Sequence, residues 1–156
     1  MSLKRHMLSY LAGVFDGEGS ICIIRISPKK GKRPTPTYRG VVEIAMTERL
    51  ILQLFQNIFG GDIYQHKPRN PQNKLVYLWR IRDFRCIAFL NDLMPFLILK
   101  HPQAEVMMHF LKNKPQRGRK GQRKGLEETE LALREVDYIM TRSMNMKGKK
   151  EETPCP

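Results

Sequence analysis

Cysteine is scarce and its count is odd. Cys22, Cys86 and Cys155 stand 64 and 69 residues apart, so neither a disulfide framework nor a CxxC zinc knuckle can be assembled from them. The four histidines, His6, His66, His101 and His109, never approach closer than eight residues. The four-residue step that places two ligands on adjacent helical turns is missing, and no transition-metal site is expected. No apolar run nears the ~20 residues that a membrane-spanning helix needs, which excludes a membrane protein built on such helices. The basic and then apolar N-terminus is broken at Asp16 and Glu18, where a signal peptide would need small residues, so a protein that is not secreted is expected.

Acid is also in short supply, with 15 Asp and Glu against 28 Lys and Arg and a net charge of +13. The imbalance is local: residues 1–125 hold 23 basic and 8 acidic side chains, whereas residues 126–156 hold 5 and 7. A polyanion partner follows, and nucleic acid fits best, because phosphate neutralisation with counterion release drives such affinity and no basic amphipathic helix points to lipid. A chain of 156 residues is long enough for one real core. Residues 1–125 are expected to form the working domain, with 126–156 a C-terminal helix packed on it and a flexible tail.

Residues 7–16 space Met7, Leu8, Leu11 and Phe15 as in a helix, while Ser9, Gly13 and Gly17 recur every fourth residue on a stripe almost free of side chains. Glycine inside a helix costs about 1 kcal/mol relative to alanine, so the stripe needs a compensating reason. Close approach of a second helix, with Ala12 alongside, is that reason. Two extended runs follow, at 20–27 and 38–46, separated by the basic turn PKKGKRPTPT. The first alternates poorly, which suggests a bulge. In the second, Gly40, Val42, Ile44 and Met46 are expected inward and Arg39, Val41, Glu43 and Ala45 outward.

Thr47 stands as the expected N-cap of a helix with a stripe of Leu50, Ile51, Leu54, Phe55 and Ile58, ended by Gly60-Gly61. Strands at 62–67 and 75–81 flank a turn that contains Arg69. Asp83 is expected to cap a helix that Pro95 ends, and His101-Pro102 opens another. Residues 112–124 hold seven basic side chains and no acid or apolar one, which reads as a solvated linker or a phosphate-contacting loop. Leu126, Leu133, Val136 and Met140 are expected to pack a final helix back onto the domain.

The nonapeptide Leu11-Ala12-Gly13-Val14-Phe15-Asp16-Gly17-Glu18-Gly19 resembles the motif after which the LAGLIDADG homing endonucleases are named. The order αββαββα is similar to that family's over residues 7–113, so the resemblance implies an α+β fold with a curved antiparallel sheet, helices on one face and here an extra C-terminal helix. One copy of the motif implies a homodimer in which Ser9, Ala12, Gly13 and Gly17 meet their twins across a two-fold axis. The resemblance makes Glu18, at the eighth motif position, a catalytic metal ligand for Mg²⁺ or another hard divalent cation, helped by the Gly17 carbonyl. Asp16 is expected to be a capping or helix-packing acid.

The stretch Pro95 to Lys100, with Gln103-Ala104 after it, is similar to the family segment whose second lysine enters the active site, which would make Lys100 a stabiliser of negative charge on the scissile phosphate or a group that perturbs a water. Glu48 lies where relatives often carry a solvent-orienting Gln. It stays open between a metal-associated carboxylate and a first-turn acid. The implied activity is cleavage of double-stranded DNA at a long pseudo-palindromic site, leaving 3′ overhangs, in whichever cytosolic or organellar compartment keeps the intron-bearing genome. Intron RNA maturation, or binding without cleavage, is the alternative within the same fold. On the sheet, Arg39, Glu43, Tyr64 and His66, joined by Tyr77 and Trp79 and by Arg25 and Ser27, are the expected readers of the major groove. Lys29, Lys30, Lys32, Arg33 and Arg69 are expected on DNA as well, the first four as phosphate contacts.

Overall fold

Helix α1 (Leu3–Glu18) turns Leu8, Leu11, Ala12 and Phe15 to one side, the spacing that makes a continuous apolar stripe, and all four are buried. A computed structural model of the chain describes residues 3–29, 34–67, 70, 72–114 and 125–146. Met7, expected on that stripe, is instead exposed. Gly19 begins strand β1 (Gly19–Ile26), where a side chain would collide with the Phe15 ring at 2.3 Å.

β1 pairs antiparallel with β2 (Thr37–Met46) in unbroken register from Gly19 opposite Ile44 to Ile26 opposite Thr37. The expected bulge is absent; the poor alternation of Cys22, Ile23 and Ile24 arises because both faces of β1 carry apolar residues. β2 then pairs with β4 (Val76–Arg82), and β3 (Asp62–His66) lines the far edge, so the sheet order is β1-β2-β4-β3. The register places Ile21, Ile23, Val42, Ile44, Trp79 and Ile81 on one face, where they join the helices in a single core. Phe89 sits at its centre, with ring centroids 5.0 Å from Phe15, 4.9 Å from Phe59 and 5.5 Å from Trp79.

Helix α2 (Arg49–Phe59) starts one residue later than expected. Glu48, not Thr47, is its N-cap, and its carboxylate accepts from the Leu50 N–H at 3.0 Å. The buried side is formed by Leu52 and Phe55, while Leu50 and Ile58 face solvent, so the stripe is rotated from the sequence expectation. Gly60 and Gly61 end the helix at φ of 71° and 91°. The Gly60 carbonyl also accepts from the Trp79 indole at 2.8 Å, which satisfies the one polar atom of that buried ring.

Helix α3 (Arg85–Leu93) leads into one 3₁₀ turn (Met94–Phe96) at Pro95, and α4 (His101–Lys112) follows. Asp83 does not cap α3: Phe84 holds that position, and the Asp83 carboxylate takes Lys114 Nζ at 2.6 Å.

Helix α5 (Glu128–Asn145) packs on β1 and α4. The Asn145 amide donates to the Ile21 carbonyl at 2.7 Å, and Glu135 pairs with Arg25 and accepts from the Tyr38 hydroxyl. Edge strand β1 is thereby covered. Arg134, Asp137 and Thr141 are the buried residues of α5, whereas Leu133, Val136 and Met140 are exposed, which corrects the expectation that they pack inward; Leu126 alone of the four is partly buried against the core. No helix among the described residues is long and apolar enough to cross a membrane.

Candidate active site and nucleic-acid interface

Among the described residues of the protomer, nothing fills the glycine stripe of α1. A Cβ added at Gly13 or Gly17 would meet nothing within 4 Å, and Ser9 and Tyr10 beside them are exposed. Their helical cost of about 1 kcal/mol each is therefore uncompensated by any contact the protomer makes. Ala12 differs. It is wholly buried in the protomer's own core, so its expected place on the intersubunit stripe is corrected.

Glu18 closes α1 and is exposed. Two residues earlier, the Asp16 carboxylate accepts three consecutive backbone N–H groups: Ile98 at 2.7 Å, Leu99 at 3.2 Å and Lys100 at 3.0 Å. The Lys100 ammonium returns to the Asp16 carbonyl at 2.5 Å. That carbonyl lies in the last turn of α1, where carbonyl groups lack intrahelical partners and a cation is favoured by the helix dipole. Asp16 is thus the capping acid expected, although it caps a distant loop. Lys100 is brought to the turn that carries Glu18.

Glu48 is the N-cap of α2 and not an acid of its first turn, its exposed carboxylate accepting from the Leu50 N–H. Glu18 with the Gly17 carbonyl offers hard oxygen donors suited to Mg²⁺. No three His, Cys, Asp or Glu side chains converge among the described residues of one protomer. Burial pushes the Cys22 thiol up to about 11 and the Cys86 thiol up to about 12, which leaves neither a nucleophile at neutral pH.

The sheet face opposite the helices follows from register. Arg39, Val41, Glu43 and Ala45 of β2 share it with Arg80 and Arg82 of β4 and with Tyr64 and His66 of β3. Arg39, Arg82, Tyr64 and His66 are exposed. Val41, also on this face, is small enough to be covered by its neighbours and is only 1% exposed. Glu43 is gripped by Arg80, with N to O distances of 2.8 and 2.7 Å from Nε and Nη2.

Four expected readers do not lie there. Trp79 is wholly buried in the core, and Tyr77 is on the same helix side beneath the Arg49 guanidinium, 5.8 Å from its ring centroid. Arg25 faces the helices, paired with Glu135 at 3.2 Å, and Ser27 falls beyond the end of β1. Lys29 is exposed; Lys30, Lys32, Arg33 and Arg69, with 115–124 of the basic run, lie outside the described residues. Arg80 and Arg82 were the residues missed. Trp79 and Ile81 alternate with them, and strict parity from an inward Trp79 places both arginines outward.

No family model matches the sequence, and no curated protein matches it. Solved structures do resemble the fold. The homing endonuclease I-CvuI, in complex with a DNA target in calcium, superposes with a TM-score of 0.74 at 18% identity over 94% of this chain and 87% of its own. The archaeal intron-encoded homing endonuclease I-Vdi141I, complexed with DNA, gives 0.71 at 18% identity over 94% and 88%. The chain has the LAGLIDADG homing-endonuclease fold. A third such structure, the LAGLIDADG homing endonuclease I-SmaMI bound to cleaved DNA, matches at 0.63 and 16% identity over 93% of this chain but 45% of that one. In the LAGLIDADG fold observed here, the glycine stripe and Glu18 lie on α1, and the exposed arginines lie on the sheet face away from the core.

Proposed function

We propose that the chain is a site-specific double-strand DNA endonuclease that acts as a homodimer on a long, roughly palindromic target. The observation that carries this reading is the end of α1: an exposed Glu18 two residues from the Asp16 carbonyl that tethers Lys100, beside a glycine stripe that nothing among the described residues fills. Packing two α1 helices along Gly13 and Gly17 brings the two Glu18 side chains together. The half-length match to I-SmaMI supports this count, because one copy of this chain corresponds to less than half of that chain.

Glu18 and the Gly17 carbonyl of each protomer would hold a divalent cation such as Mg²⁺, which when bound supplies Lewis-acid stabilisation of the scissile phosphate and an activated water. Lys100 contributes a fixed positive charge where negative charge builds during cleavage. Arg39, Arg82, Tyr64 and His66 face the major groove, and the Arg80–Glu43 pair presents Arg80 as a reader held in register by its partner. Lys29 and the flanking basic segments neutralise phosphates. The neighbours support the partner: I-CvuI is complexed with targets in both calcium and magnesium, in the latter case with DNA not cleaved.

The test is selection of cut molecules from a randomised duplex library in Mg²⁺ against EDTA, with Glu18→Gln as control. A palindromic consensus cut only by the wild type supports the reading. Glu18→Gln should retain the dimer and its DNA affinity and lose cleavage, because it keeps shape and deletes the charge that holds metal. Cleavage by Glu18→Gln at the wild-type rate sinks this active site, and binding without any cleavage by the wild type favours the non-cleaving alternative.

A further inference from the structure

We propose that Asp16 is the positioning residue of the cleavage centre, acting on Lys100 through the backbone of residues 98–100. This rests on the nuclease reading above and adds to it a specific division of labour within the motif. The segment 98–100 joins the 3₁₀ turn to α4, and the side chains of Ile98 and Leu99 are 82% and 70% exposed, so packing does little to fix it. What fixes it is the Asp16 carboxylate, whose two oxygens gather the N–H groups of Ile98, Leu99 and Lys100. Three consecutive amides converging on one anion form a nest, which needs a full carboxylate. An amide at this position would turn an N–H donor toward donors.

From the other side, Lys100 is the N-cap residue of α4, and its carbonyl accepts the Ala104 N–H at 3.0 Å. Its backbone is therefore tied both to α4 and to α1. The ammonium then spans back to the Asp16 carbonyl, so the backbone and the tip of Lys100 are both referenced to the helix that carries Glu18. An ammonium has three donors, and one is used here, which leaves two for a phosphate oxygen or a water. A four-carbon side chain otherwise samples many rotamers, and ordering it beforehand removes that entropic cost from the cleavage step. Asp16 does not touch DNA or metal in this scheme; both of its carboxylate oxygens are occupied by the loop.

The experiment uses the full-length protein as wild type, Asp16→Asn, Lys100→Met and the double variant. Amide hydrogen exchange is read by NMR without DNA, and single-turnover cleavage is read on the selected duplex with protein in excess. Asp16→Asn should lose protection at the Ile98, Leu99 and Lys100 amides while Lys100→Met keeps it. Cleavage should slow by roughly 100-fold in Asp16→Asn with DNA affinity unchanged, the scale expected when a catalytic group is displaced by about 1 Å. In the Lys100→Met background the Asp16 substitution should slow cleavage no further, because its effect runs through Lys100.

Multiplicative effects in the double variant, retained amide protection in Asp16→Asn, or a wild-type cleavage rate in Asp16→Asn each overturn the proposal. If Asp16→Asn fails to fold, Asp16→Glu is read instead: it keeps the charge, lengthens the arm by one methylene, and should keep the fold while slowing cleavage only in the presence of Lys100. Should Lys100→Met cut like the wild type while Asp16→Asn still loses amide protection, the role given to Lys100 has failed, and the positioning proposal falls with it.

Discussion

Helices α1 and α5 use the same letters in opposite ways. Helix α1 buries Leu8, Leu11 and Phe15 and shows solvent two glycines, whereas α5 buries Arg134, Asp137 and Thr141 and shows solvent Leu133, Val136, Ile139 and Met140. The difference teaches that apolar periodicity locates a helix and its stripe but not the side on which the stripe lies. For α1 the core is the protomer's own, and the stripe faces it. For α5 the surface on offer is a strand edge and polar groups, the Ile21 carbonyl, Arg25, the Tyr38 hydroxyl and His109, and these take the polar residues of the helix while Leu131 and Tyr138 beside them rest partly buried against the core.

The largest effect expected is at the bare side of α1. A Cβ at Gly13 meets nothing within 4 Å among the described residues, and replacing this glycine with leucine favours the helix by about 1 kcal/mol, so the fold of Gly13→Leu should form as well as before. The proposed dimer should not, since two leucines would not fit a seam formed along Gly13 and Gly17, and the proposed cleavage should vanish with it. Circular dichroism together with light scattering separates the two effects. A wild-type dimer of Gly13→Leu places the subunit interface elsewhere.

On the buried side of the same helix, Leu11→Ala removes a wholly enclosed side chain and should cost about 2–5 kcal/mol in denaturant unfolding. A loss below about 1 kcal/mol would mean that α1 is less firmly packed than its burial indicates.

How far the sequence could be read divides along the same line. The strands, the glycine end of α2 and the Asp16-to-Glu18 motif were legible because each rests on local rules: alternation, left-handed glycines, a helix end. The outward face of β2 was legible too, since Arg39 and Glu43 alternate with residues that had to be buried. The fourth strand was misread because aromatic side chains were favoured as readers over strict parity, although Trp79 and Ile81 inward oblige Arg80 and Arg82 outward. Arg25 was misread because its partner, Glu135, is 110 residues away. The hydrogen bonds that the Asp16 carboxylate accepts span 82 to 84 residues, and no spacing rule could announce them.

Asp137 sharpens the comparison through pH. Burial in the α5 contact raises its carboxyl above the ordinary value, and the facing His109, 3.1 Å away, opposes that rise. A carboxyl raised in the folded state stabilises relative to its unfolded value fully below the ordinary carboxylate range, and this contribution is lost as pH climbs through the raised value. Asp137→Asn, which titrates nowhere, should therefore gain stability relative to wild type as pH rises from 4 to 7. Thermal melts at the two pH values read the difference, and a relative gain in the opposite direction would mean that the pairing with His109 outweighs burial.

The smallest effect should come from the exposed stripe of α5. Leu133 and Met140 are 59% and 41% exposed, so replacing both with serine forfeits little burial and removes apolar surface from water. Serine is a somewhat weaker helix former than either, by a few tenths of a kcal/mol per site, and the two terms nearly offset. Unfolding free energy should stay within about 0.5 kcal/mol of wild type, in contrast to the loss at Leu11, which has the same side chain as Leu133 on a helix that turns it inward. A loss above about 2 kcal/mol in the double serine variant would show that these residues are covered in solution, and the opposition between the two helices would then hold only for the isolated protomer.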